Sequence, residues 1–144
     1  MFRKTLATVT LAAIVGLASL PAFAANTLSI TQLGFANAAG GMQAGFGNNI
    51  GVFQNGAFNG ATANQFGVGN TSAIGQNGFN NQAATGQLGI GNAAGIGQFG
   101  SNHQATIGQV GVGNIAAGVQ VGNGCKANVA QAGVGNVAAF VQAC

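Results

Sequence analysis

Gln109-Val110-Gly111-Val112-Gly113-Asn114-Ile115-Ala116-Ala117-Gly118-Val119-Gln120 holds one full period of the pattern on which the chain is built. Gln returns after eleven residues, Gly stands two places after the first Gln, and Asn stands five places after it. Followed outward in both directions, Gln recurs at Gln32, Gln43, Gln54, Gln65, Gln76, Gln87, Gln98, Gln109, Gln120, Gln131 and Gln142. Asn recurs at Asn26, Asn37, Asn48, Asn59, Asn70, Asn81, Asn92, Asn114 and Asn136, with His103 and Cys125 in the two remaining slots. Such self-similarity at a fixed period is the signature of a repeat architecture.

A period of eleven also suits a right-handed coiled coil. Gly in every unit opposes that reading, at about 1 kcal/mol per residue against helix. Alternation supports strands instead. Counted from each Asn, the third residue is Leu28, Ile50, Ser72 or Ala, and the fifth includes Ile30, Val52, Ile74, Ile96, Ile107 and Phe140. The seventh is always Gln. Asn, a small residue, an apolar residue and Gln therefore share one face of an extended strand. The pattern predicts eleven strands of seven residues, beginning at 26–32, joined by four-residue connectors with Gly inside them.

An up-and-down meander and a two-sheet solenoid both accommodate such strands. In a solenoid strand n stacks on strand n+2, so Gln32 lies beside Gln54 and Gln43 beside Gln65. Amides stacked at about 4.8 Å can hydrogen-bond along the column. A buried amide without a partner costs roughly 1–3 kcal/mol, so a continuous column fixes the register. A meander gives no reason for the constant spacing. The expected fold is an all-β, two-sheet cross-β solenoid, with the Gln and Asn series as its structural ladder.

Composition narrows the function. The chain has 144 residues, no Asp or Glu, three Lys or Arg, and 48% hydrophobic residues. Without carboxylates there is no acid/base pair, no Ser-His-Asp triad and no hard-cation site. No enzyme, cofactor or metal role is expected, and the low charge offers no footprint for nucleic acid. The Gly95–Gly100 match to G-x-G-x-x-G is a by-product of the period, since the acidic residue that pattern needs is absent. Met1-Phe2-Arg3-Lys4, an apolar run over 5–20 and Pro21-Ala22-Phe23-Ala24 together read as a secretory signal peptide. The expected organisation is a signal segment, 1–24, followed by a single repeat domain, 25–144. No membrane span is expected after cleavage.

Gln65-Phe66-Gly67-Val68-Gly69-Asn70, like the stretch from Gln109 to Gln120, resembles the curlin repeat. The resemblance runs over residues 26–144. It implies a β-solenoid with 22-residue strand–turn–strand coils, secreted unfolded and assembled at the cell surface into curli, an extracellular functional amyloid of biofilms. It also implies partners: further copies of the chain, another curlin subunit, and outer-membrane export machinery. The repeat starts almost at once after the cleavage site, whereas the family commonly carries a leader there.

Almost no charge and, after residue 24, no Pro protect the ends of such a stack. The chain is thus expected to polymerise as a structural fibre subunit, either the major one or the nucleator. A monomeric solenoid adhesin or ice-binding module is the alternative, although the threonines fall in scattered slots rather than a flat array. His103 reads as a polar substitute for Asn or as a pH-sensitive step. The exposed-position Phe residues read as surface filling or as contacts between filaments. In the solenoid Cys125 and Cys144 lie at the same end of neighbouring strands, which predicts a Cys125–Cys144 disulfide. The rival reading leaves these thiols free or pairs them between molecules.

Overall fold

A computed structural model describes residues 25–144; the expected signal segment lies outside the described residues. The chain forms eleven strands: β1 (Thr27–Phe35), β2 (Ala38–Phe46), β3 (Asn49–Ala57), β4 (Gly60–Val68), β5 (Thr71–Phe79), β6 (Gln82–Ile90), β7 (Ala93–Ser101), β8 (Gln104–Val112), β9 (Ile115–Asn123), β10 (Lys126–Val134) and β11 (Val137–Ala143). Odd strands build a six-stranded sheet and even strands a five-stranded one. Every pairing is parallel and in register at a separation of 22 residues, so Gln32 sits opposite Gln54 and Gly34 opposite Gly56. The fold is a β-solenoid of two facing sheets. Among the described residues no helix is long and apolar enough to cross a membrane.

The strands are longer than the sequence pattern predicts. Ten have nine residues and β11 has seven, which leaves two-residue connectors instead of four. The Gly two places after every Gln but Gln142 takes a left-handed φ, as at Gly89 (130°), yet keeps its place in the ladder opposite Gly67 and Gly111. Pairing therefore continues through the glycine, and Asn moves out of the strand to become the second residue of the turn.

Ile50, Val52, Ala63, Ile74, Ile96 and Ile107 form the core between the sheets. Each buried Val or Ile contributes roughly 1.5–3 kcal/mol. Ala at most third positions keeps this core thin, so the sheets approach closely enough for amide side chains to bridge them. Where an inward slot holds Gly118, the ring of Phe140 from the next strand fills the space a side chain would take.

The two turn edges differ. Along one, the left-handed turn residue is Gly47, Gly69, Gly91, Gly113 or Gly135. The residue before each is exposed and apolar, giving a ridge of Phe46, Val68, Ile90, Val112 and Val134. Along the other edge the left-handed residues are Ala36, Phe58, Asn80, Asn102 and Gly124. There Phe35, Phe58 and Phe79 stack edge to face, with ring centroids 5.6 and 5.4 Å apart. Asn80 donates to Asn102, and Asn102 to Asn123, so amides continue the line that the rings begin.

Candidate functional site: the amide ladders and the ends of the stack

Because Gln falls six residues after each Asn slot, it points inward near the end of every strand. Gln54, Gln65, Gln76, Gln87, Gln98, Gln109, Gln120 and Gln131 are buried, while Gln32, Gln43 and Gln142 in the outer coils are partly exposed. In the six-stranded sheet Gln32 Nε2 donates to Gln54 Oε1, and the relay continues through Gln76, Gln98 and Gln120 to Gln142 at 2.7–2.9 Å. In the other sheet it runs from Gln43 through Gln65, Gln87 and Gln109 to Gln131 at 2.6–3.0 Å. The second N–H of most of these amides crosses to the opposite sheet. Gln54 reaches the Ala38 carbonyl at 2.9 Å and Gln87 the Thr71 carbonyl at 2.9 Å. Each such Gln thus ties its coil to the next and one sheet to the other.

The Asn series works at the turns. Oδ1 of Asn48 accepts the backbone N–H of Asn70 at 3.1 Å, and its Nδ2 donates to the carbonyl of Gly67 at 2.9 Å. The same links run from Asn26 to Asn48 and through Asn70, Asn92 and Asn114 to Asn136 on one edge. On the other edge they run from Asn37 through Asn59 and Asn81 to His103. His103 Nδ1 then accepts the backbone N–H of Cys125 at 3.2 Å, standing where an Asn oxygen would. Its other ring nitrogen lies 3.2 Å from the Phe99 carbonyl, so the neutral ring carries its proton on Nε2.

Cys125 and Cys144 form a disulfide, with Cα atoms 5.7 Å apart. Their separation of 19 residues is that of the Asn-to-Gly bridges, such as Asn114 to Gly133. The covalent bond therefore replaces the last turn-to-turn hydrogen bond on that edge. Sequence reasoning missed this equivalence and the Asn-to-Gly bridge itself, although the constant 19-residue offset between Asn and Gly was available to it. It also placed Ser72 and Thr85 inward without pairing them; their hydroxyls meet across the core at 2.6 Å. No buried side-chain nitrogen or oxygen among the described residues lacks a partner.

The ladders have a direction. Along both Gln columns Nε2 of the lower-numbered residue donates to Oε1 of the higher-numbered one. At the β1–β2 end the Oε1 atoms of Gln32 and Gln43 accept nothing from the described residues, and at the β10–β11 end Gln131 and Gln142 each keep one N–H to give. In the Gln columns, then, one end accepts and the other donates.

Uniform coils, parallel in-register sheets and continuous amide columns define a β-solenoid structural protein whose repeats specify their own stacking. The sequence matches a family described as curlin associated repeat twice, over residues 24–56 and 78–111. Both stretches are thus similar to the curlin repeat, the unit of a family of structural fibre subunits. No curated protein matches it.

Proposed function

We propose that the chain is the structural subunit of an extracellular, curli-type amyloid fibre, in which copies add end to end. Residues 1–24 would serve as the signal segment removed during export, and residues 25–144 as the assembling unit. One observation carries this reading: both ends of the stack interrupt ladders that have a donor sense at one end and an acceptor sense at the other. Among the described residues nothing covers β1, β2, β10 or β11 on their outer edges. Open edges of this kind recruit further strands unless charge, Pro or a cap blunts them. Here Lys126 is the one charged side chain of residues 25–144, with His103 the one imidazole. The match to the curlin repeat supports self-association in the same sense.

The test is assembly of the purified 25–144 protein at micromolar concentration. Fibres with a cross-β reflection near ~4.8 Å, dye binding and protease resistance are the expected outcome. A protein that stayed monomeric, dye-negative and protease-sensitive for days would overturn the reading and favour a monomeric solenoid that binds surfaces.

A further inference from the structure

The two sheets are unequal, and the inequality constrains how copies meet. The six-stranded sheet begins with β1 and finishes with β11, so the same sheet leads at both ends of the solenoid. Two copies brought together by simple translation would join β11 to β1. The five-stranded sheet would then be one strand short at the junction. A gap of about 9.6 Å would separate β10 from the next β2, twice the usual spacing. Such a gap would strand the spare N–H of Gln131 and leave Val129, which packs against the core, open to water.

We propose that successive copies in the fibre are related by a half-turn about its axis, so that β1 lies on β10 of the preceding copy and β2 on β11. This rests on the end-to-end assembly proposed above. The half-turn is the operation the chain already applies to itself, because each strand joins the sheet opposite its predecessor and pairs with the strand two places before. A following copy then supplies what a twelfth and a thirteenth strand would supply. Gln131 donates to the next Gln32, and Gln142 to the next Gln43, as Gln109 donates to Gln131 within the chain. Oδ1 of Asn136 receives the backbone N–H of the next Asn37, as Oδ1 of Asn114 receives that of Asn136. One position breaks the pattern: the next Asn26 falls over Cys125, whose sulfur is taken by the disulfide.

Thr31, Ala130 and Val141 each precede a ladder Gln and face outward, so they report the junction without touching the core. Fibres mixed from Thr31→Cys and Ala130→Cys copies, treated with a short bis-maleimide without reductant, should give cross-linked dimers. Fibres mixed from Thr31→Cys and Val141→Cys copies should not. Electron microscopy should find an axial repeat of about 53 Å, the height of two copies at eleven strands per sheet, where translation gives about 29 Å. Removing residues 81–91 makes the strand number even, and the repeat should fall to about 24 Å. Cross-linking of Thr31 to Val141, or a repeat of about 29 Å in the intact chain, overturns the half-turn and leaves fibre assembly standing. Fibres in which neither pair cross-links do the same. Failure to form fibres removes both readings together.

Discussion

Two glycines three residues apart in β6 do opposite things. Gly89 has φ 130°, and a Cβ built on it lands on the carbonyl oxygen of Gly111 in the coil above. Gly89→Ala is expected to cost about 3 kcal/mol or more, from strain and a displaced ladder together. Gly86 has ordinary backbone and open space where its Cβ would go. Gly86→Ala is expected to stabilise by about 0.5–1 kcal/mol, by restricting the unfolded chain. Guanidinium midpoints of the two variants check both signs. His103 offers a second contrast. His103→Ala leaves the Cys125 N–H without its acceptor and is expected to cost about 1–3 kcal/mol. His103→Asn restores the ordinary slot residue, whose Nδ2 can reach the Gly122 carbonyl, and should leave the midpoint unchanged or raised. Loss of stability in the Asn variant equal to that in the Ala variant would refute this account of the ring.

At the scale of the strand, the alternation of Asn48, Ile50, Val52 and Gln54 was legible because inward residues repeat every second position, and all four are buried. Strand ends were less legible. A glycine such as Gly89 reads as a turn in sequence, yet its left-handed φ is compatible with continued pairing when every neighbouring strand has glycine at the same rung. The partner of Gln87 along its column followed from period and topology, whereas its bond to the Thr71 carbonyl needed the distance between the sheets. The disulfide belongs to this scale too, since it closes only the last coil. Replacing Cys125 and Cys144 by Ser is expected to cost that coil about 3 kcal/mol. Hydrogen exchange should quicken in β10 and β11 and stay slow in β5 to β7; uniform loosening of all strands would contradict a local clamp.

For the molecule as a whole, shortage of charge has a measurable consequence. Raising salt from ~10 mM to ~1 M shortens the screening length from about 30 to about 3 Å. With Lys126 as the one fixed side-chain charge in 25–144, assembly lag and fibre stability should hardly change across that range. A strong salt dependence would mean that forces other than the ladders and core govern stacking. The asymmetric turn edges also bear on the fibre. In one copy the ridge from Phe46 to Val134 lies along one edge, with the phenylalanine and asparagine row along the other. In a fibre built by the proposed half-turn, alternate copies would exchange these edges, so the apolar ridge and the phenylalanine–asparagine row would follow one another down each flank like squares on a chessboard. Such a thread would have no front or back, and whatever adhered to one flank would find the same surface on the other, displaced by the length of a single subunit.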